Sequence, residues 1–500
     1  MPSPYIIGID IGTGSTKAVA VDKNNTVLST AQHFYEAITQ GEKSEQDVHP
    51  VFVAFQQSIR QIVDKLGGPP EVISFSSAMH NILVSDSQGE PLTGAILWSD
   101  TRSNRVAEAL RSSPLGEQIY LATGTPVHSM SPLCKIRWMQ ECEPALFSKA
   151  ARFISIKEFI WWQLFGEYVI DHSLASATGL FNVHQLRWEE PALQFAGIST
   201  QQLSQPVPVT YTKANAKREL AGEMGLSAET VFMVGASDGT LANLGSRCLR
   251  PSDAAVTIGT SAAVRITSPT PVQDARRMIF NYRLDENTFV CGGAVNNGGN
   301  VFQWVLEQLF NGRAGVGNYE QLFQLVSQVA AGSNGLLFLP YLHGERAPIW
   351  DEKSSGAFIG IGVGHNLAHF ARSAAEGVCF ALLHILSSLE EVCGPLEQLL
   401  VSGGLTHTDV MMQLLANVTG KRVVVQLGGD ASAMGAVYLA QKARGYLSAY
   451  SEIPVNKATV FQPEAAAGEI YKQSFAVYKN LYPVLKDSMH TLHALAQRSM

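Results

Sequence analysis

The sequence predicts an α/β protein made of two related halves. A strand–turn–strand unit opens the chain between Tyr5 and Val21, and a similar unit returns between Ala254 and Thr267. Elsewhere helical stretches alternate with short strands, the pattern of layered α/β architectures. The 500 residues give a soft prior of about three domains, and two large ones fit equally well.

The first unit reads Tyr5-Ile-Ile-Gly-Ile-Asp10, then Gly12-Thr-Gly-Ser-Thr16, then Lys17-Ala-Val-Ala-Val21. Asp22-Lys-Asn-Asn25 makes a second turn, and Val27 to Ala31 a third strand. Turn residues between β-favouring runs predict a meander. Val51 to Leu66 has helical spacing and stops at Gly67-Gly-Pro-Pro70; Val72 to Ser76 is then a strand. Val231 to Val234 reads as a strand leading towards Asp238-Gly239, locally a turn pattern. Ala254 to Ile258 and Ala262 to Thr267 flank Gly259-Thr-Ser261. The tetrapeptides Ile11-Gly-Thr-Gly14 and Ile258-Gly-Thr-Ser261 are the internal echo that suggests duplication. A long amphipathic stretch, Leu367 to Val392, ends at Gly394-Pro395. Leu399 to Ser402 is a strand entering Gly403-Gly404; His407 to Val418 is a helix, Arg422 to Val425 a strand, and Ser432 to Ala443 a helix. The domain boundary is expected between Gly245 and Asp253, giving domains 1–245 and 246–500.

Composition excludes several classes. Hydrophobic residues make up 46% and charged residues 16%, too apolar for a disordered chain. A net charge of −7, with no Lys/Arg run, gives no footprint for nucleic acid or for an anionic membrane. Cys134, Cys142, Cys248, Cys291, Cys379 and Cys393 form no CxxC pair, which argues against structural zinc and for reduced thiols. Met1 to Asp10 lacks a basic n-region, and no apolar run approaches the ~18 residues of a membrane span. A cytoplasmic protein is expected.

Asp10-Ile-Gly-Thr-Gly-Ser-Thr-Lys17 is the most informative segment. Glycines at a strand turn let backbone N–H groups approach an anion; Thr13, Ser15 and Thr16 add hydroxyl donors and Lys17 adds charge. An acid at the end of the first strand suits magnesium held through water. An ordinary hairpin turn has the same composition. The GxxxxGK[ST] pattern is absent, and GxGxxG fails because Lys17 stands where its third Gly belongs. A Walker NTPase and a dinucleotide-dependent dehydrogenase both lose ground.

Taken in order, Gly8 to Lys17, Ile96-Leu-Trp-Ser-Asp-Thr-Arg102, Gly235-Ala-Ser-Asp-Gly239, Ile258-Gly-Thr-Ser261, Gly344-Glu-Arg-Ala-Pro348, Gly356 to Ile361, Arg372 with Glu376-Gly377, and Ser402-Gly-Gly404 resemble the FGGY carbohydrate kinases, within the wider group of actin, Hsp70 and hexokinase. The resemblance runs almost end to end. It implies two actin-like (ribonuclease H-like) domains flanking a central catalytic cleft, the first binding the sugar and the second ATP. It implies Asp238 as general base and as a water-mediated magnesium contact alongside Asp10. Gly12, Thr13, Gly14, Ser15, Lys17, Gly259, Thr260, Gly403 and Gly404 are implied to bind ATP, and Met79, His80, Asp100, Arg102, Lys135 and Asp238 the substrate. An internal salt bridge is an equal reading of Asp100 and Arg102, and a structural role an equal reading of Lys135. Within the family, Ser77 to His80, Ile156-Lys-Glu158, Leu164 to Tyr168 and Asp171 to Asn182 resemble the members that phosphorylate D-gluconate to 6-phospho-D-gluconate. Arg102, Lys135, His80 and His128 are then candidate partners for the substrate carboxylate. Xylulose or another pentulose is the alternative substrate, and a non-catalytic nucleotide sensor a more distant one. A homodimer is expected by analogy only.

Overall fold

The structure is a computed structural model that describes residues 4–274, 276–311, 315–426, 430–454 and 457–498. The outermost ends of the two expected domains, Met1 and Met500, therefore lie outside the described residues.

Two sheets repeat one plan. In the first, β1 (Tyr5–Ile11), β2 (Ser15–Asp22) and β3 (Val27–Phe34) form an antiparallel meander. The helix α1 (Val48–Leu66) follows, and β4 (Val72–Ser77) then runs parallel to β1. After the short edge strand β5 (Thr212–Lys213), β6 (Val231–Ser237) runs parallel to β4, giving the order β5-β6-β4-β1-β2-β3. The helix α2 (Asp238–Gly245) leaves β6 directly.

In the second sheet β7 (Asp253–Ile258) pairs antiparallel with β8 (Ala262–Ser268). The hairpin β9 (Phe280–Asp285) and β10 (Thr288–Val295) continues outward from β8. On the other side of β7 lie β11 (Gln398–Ser402) and β12 (Arg422–Gln426), parallel to it, and β13 (Ala458–Phe461) closes the edge. Its helices include α3 (Leu367–Cys393), α4 (Asp409–Thr419) and α5 (Ala431–Ala443). In both halves an antiparallel hairpin, β1–β2 or β7–β8, has two parallel strands beside its first strand, so the echo of Ile-Gly-Thr in the sequence marks the same hairpin turn of each sheet; in the second half the neighbour of β8 is β10, with β9 outside it.

The pleat explains the opening sequence. Successive side chains of a strand point to opposite faces. On β1, Tyr5, Ile7, Ile9 and Ile11 enter a core with Phe55 and Ile59 of α1, while Ile6 enters a second core with Val437 and Ala440 of α5. A strand buried on both faces carries little polarity until its end, where Asp10 sits. Since α5 lies between β12 and β13 of the second half in sequence yet packs on the first sheet, the two halves share this second core.

Element ends differ from the sequence expectation where caps decide them. Asp47 accepts from the His49 N–H and starts α1 three residues earlier than Val51. A short 3-10 turn over Gly404–His407 precedes α4, which starts at Asp409 rather than His407. Asp238 is not in a loose turn; it is the first residue of α2. By length and composition α3 could cross a membrane, against the expectation of no such run, but 72% of its apolar window is buried inside the protein. It is a core helix, and it carries an internal Arg372–Glu376 ion pair at 2.8 Å that Tyr471 completes.

Candidate active site

The catalytic candidates collect where the strand ends of both sheets meet α2 and α5. Asp10 occupies the end of β1, and Ser76 Oγ of the adjoining β4 donates to its Oδ1 at 2.6 Å. Burial pushes the Asp10 carboxyl well above the usual carboxylate range, and the negative charges of Asp430 and Asp238 push it the same way. These three carboxylates therefore share one electrostatic site. Asp430 was not singled out from the sequence. It is the N-cap of α5, accepting from the Ser432 and Ala433 N–H groups, and it pairs with Lys17 Nζ at 2.8 Å. Burial pulls the Lys17 ammonium down, but Asp430 and Asp10 more than compensate and hold it above its ordinary value. Among the described residues no group of three His, Cys, Asp or Glu side chains is arranged to ligate a metal ion directly.

Asp238 is aimed by the backbone. Gly235 has φ +66°, a left-handed conformation, and a Cβ there would fall 1.8 Å from Phe75 O of β4. Only glycine makes that irregularity in β6, which turns the chain into α2. Beneath it, Lys157 Nζ forms a buried ion pair with Asp171 at 2.5 Å and also donates to Val234 O and Ala236 O. Burial raises the Asp238 pKa; Arg265 and the Gly239 N–H pull it back, while Asp430 adds to the upward push.

Arg265 of β8 is the second group that sequence reading passed over. Gly239 has no side chain, and a Cβ there would lie 2.7 Å from Met79 Cε and 3.3 Å from Arg265 Nε. Met79, Gly239 and Arg265 are thus packed together beside Asp238. Arg265 Nη1 donates to Thr257 Oγ1 at 3.2 Å, and its Nε is buried without a partner.

The expected substrate residues fall into two groups. His80, with φ +62°, presents Nδ1 to Ala177 O at 2.9 Å and Nε2 to the Tyr282 hydroxyl at 3.2 Å. The carbonyl demands a proton on Nδ1, so Nε2 accepts from Tyr282. Burial, with help from the Lys135 and Arg346 charges, lowers the His80 pKa to about 3, so the ring is neutral. Tyr282 is the hinge of the arrangement: Arg346, Arg265 and Asp238 all act on its hydroxyl.

The other group is engaged internally. Lys135 Nζ donates to His80 O and Leu97 O, both at 2.6 Å, and burial lowers its pKa to about 7. Arg102 pairs with Asp100 at 2.8 Å and Glu45 at 2.7 Å, over the Trp138 ring. Asp100 also accepts from the Ser44 N–H. His128 takes the Met130 N–H on Nδ1 and sets Nε2 3.0 Å from Glu352 Oε1. Of the four candidate partners for a substrate carboxylate, His80 has both nitrogens hydrogen-bonded, His128 faces Glu352, Lys135 donates to backbone carbonyls and Arg102 is paired with two carboxylates.

The glycine turns sit at matching places. The Gly12 N–H donates to Ser15 O, and Tyr35 closes the loop from its N–H to Gly14 O and its hydroxyl to Gly12 O. Thr13 lies in this loop between β1 and β2. In the second half the Gly259 N–H donates to Ser261 O, and Thr260 O accepts from the Gly298 and Asn300 N–H groups. Gly403 and Gly404 follow β11 beside this turn, Ser402 Oγ lying 3.2 Å from Thr257 Oγ1. Gly14, Gly259, Thr260, Gly403 and Gly404 are exposed, as a surface for a bound polyphosphate must be.

Two glycine turns, one from each related half, thus accompany the electrostatically linked carboxylates Asp10, Asp238 and Asp430, with Lys17 paired to Asp430. Residues 5–245 match the N-terminal domain, and residues 254–444 the C-terminal domain, of the FGGY family of carbohydrate kinases. A gluconokinase of Bacillus licheniformis is 37% identical over 507 residues, with 99% of each chain covered. Two solved structures from Lactobacillus acidophilus, a gluconate kinase and a ligand-bound xylulose kinase, each superpose with TM-score 0.93 at 32% identity. Each comparison covers 98% of this chain, with 99% of the gluconate kinase and 100% of the xylulose kinase. The chain belongs to the FGGY family of carbohydrate kinases.

Proposed function

We propose that the protein transfers the γ-phosphoryl group of ATP to D-gluconate, giving 6-phospho-D-gluconate and ADP. The observation that carries the sugar acid is the full-length similarity to a gluconokinase, 37% identical with 99% of each chain covered.

In this reading Asp238 is the general base. Ionised, it accepts the proton of the C6 hydroxyl as that oxygen bonds to the γ-phosphorus and the bond to the β-phosphate oxygen breaks. His80 and Met79 line the acceptor, and Asp100, Arg102 and Lys135 hold the loops that position them. Gly12, Thr13, Gly14, Ser15 and Lys17 hold the phosphates from one side, Gly259 and Thr260 from the other, and Gly403 and Gly404 lie beside the nucleoside. The mutual repulsion of Asp10, Asp238 and Asp430 fits a hydrated Mg2+, which would neutralise phosphate charge when bound. Asp10 and Asp238 would hold it through water. A homodimeric, cytoplasmic enzyme completes the proposal.

A pentulose such as xylulose is the second reading, favoured by the equal superposition on a xylulose kinase. Coupled ADP release with gluconate and with xylulose separates the two. Equal silence with both, despite ATP binding, would point instead to a nucleotide sensor.

A further inference from the structure

The loop from Gly344 to Ser354 is held from two sides. One side meets the first half beside the acceptor segments. The Arg346 guanidinium lies over the Trp98 ring, 4.8 Å from Cζ to the centroid, and the Trp350 ring lies 5.1 Å from that of His128. Trp98 directly follows Leu97, whose carbonyl shares the Lys135 ammonium with the carbonyl of His80. Glu352 accepts from Ser129 Oγ and faces His128 Nε2 at 3.0 Å, and Arg111 donates to Trp350 O. This loop of the second half is therefore a wall beside the acceptor segments of the first.

The other side is held through one carboxylate. Asp351 is 9% exposed. Its Oδ2 accepts from the Tyr482 hydroxyl at 2.6 Å and from His490 Nε2 at 2.7 Å, and its Oδ1 from the Lys353 N–H at 3.1 Å. Its backbone N–H donates to Glu345 O at 2.8 Å and its carbonyl accepts from the Glu345 N–H at 2.9 Å. The carboxylate is thus fastened to the residue that precedes Arg346.

Tyr482 and His490 belong to the last helix, α6 (Ala465–Arg498). Tyr471, Phe475, Tyr478, Tyr482 and Met489 recur at intervals of three, four or seven, so one helix face packs inward. Tyr471 seats that face on α3, accepting from Arg372 Nη2 at 2.6 Å and donating to Glu376 Oε1 at 2.9 Å. The family match ends at residue 444, so what α6 does has to be read from such contacts. Hydrogen bonds to a charged acceptor are the stronger kind, and a buried carboxylate that loses its donors is costly. Two donors on one oxygen therefore select the loop position in which Oδ2 meets both.

We infer that α6 positions the acceptor side of the site: Tyr482 and His490, by fixing Asp351, set the loop 344–354 against Trp98 and His128. They are positioning residues, acting through the loop and not on substrate. The inference rests on the reading that the acceptor lies beside His80, and it holds for either acceptor named above.

The test is the double variant Tyr482→Phe/His490→Leu, which removes both donors and leaves Asp351 in place. It is assayed with whichever of gluconate and xylulose the unmodified enzyme turns over. Hydrogen–deuterium exchange in peptides covering 344–354 should rise about tenfold or more, while peptides covering Gly12 to Ser15 keep their rate. KM for the acceptor should rise at least about tenfold, with KM for ATP changed less than about twofold. Tyr482→Phe alone, which keeps the His490 bond, should show part of that rise. Adding Asp351→Asn to the double variant should raise the acceptor KM no further, because the donors it serves are already gone. Unchanged exchange in the loop, or a loosened loop with an unchanged acceptor KM, overturns the inference. So does an equal rise in both KM values, which would assign α6 to the fold as a whole. An unmodified protein silent with both acceptors removes the acceptor reading, and the inference with it.

Discussion

Lys17 and Asp430 are separated by 413 positions in sequence and joined by a 2.8 Å ion pair. One residue lies near the start of β2, just after the glycine turn of the first sheet, and the other caps α5, the helix that the second half lends to the first. The pair couples the nucleotide loop to the shared core.

Lys17→Met tests what that coupling is for. Lys17 is 41% and Asp430 24% exposed, so the pair contributes no more than about 1 kcal/mol to stability. The expected outcome is a melting temperature within a few degrees of the parent enzyme, with kcat reduced about tenfold or more and a raised KM for ATP. A large fall in melting temperature with normal kinetics would assign the pair to folding.

Asp238→Asn removes the base and keeps the shape. Turnover should fall by about 10²–10⁴, while ATP affinity by calorimetry changes little. The Gly239 N–H that donates to Asp238 Oδ1 at 2.6 Å can donate equally to the Asn oxygen, so the local geometry survives. Retained turnover would take the base role away from Asp238.

Arg265 sets the acid side of the pH profile. Burial holds Asp238 above its ordinary pKa and Arg265 opposes that rise. The base works ionised, so activity is present above the Asp238 pKa and lost as pH falls through it. Removing the cation in Arg265→Met raises that pKa further, and the acidic limb of kcat/KM moves to higher pH. A limb that stays in place would show that another group governs it.

The strand that carries Asp238 rests on a buried pair. Lys157 and Asp171 are 1% and 0% exposed and 2.5 Å apart. Lys157→Met leaves the Asp171 carboxylate without its cation and should cost about 3–5 kcal/mol by denaturant unfolding. Adding Asp171→Leu should recover part of that loss, because the charge left unpaired is then gone too. Additive losses would mean that the two residues act independently.

Local patterns made much of this molecule legible. The run Tyr5 to Ile11 could be read as a strand because its apolar residues serve two cores at once, and the Gly67 and Gly394 stops fell where the helices end. Asp10, Lys17, Asp238 and the glycine turns were found because each lies inside a compact motif. The missed groups are those whose meaning is made by the fold. Asp430 is an isolated acid before a helix, and only packing of α5 on the first sheet brings it to Lys17. Arg265 stood out in one respect, as a lone charge in the otherwise buried strand Ala262-Ala-Val-Arg-Ile-Thr267, a pattern that needs a partner. For Arg102 and Lys135 the sequence left a structural role open beside a binding one, and only the fold shows that Arg102 faces two carboxylates and Lys135 backbone carbonyls.

The central claim is the reaction and its acceptor, and one experiment addresses both. The protein with Mg2+ and ATP is assayed for coupled ADP release with gluconate, xylulose, ribulose, glycerol or no acceptor. The account predicts rapid ADP release with gluconate, far above every other acceptor and above the rate without one. Preferential turnover of xylulose or ribulose, with gluconate at the background rate, would contradict it.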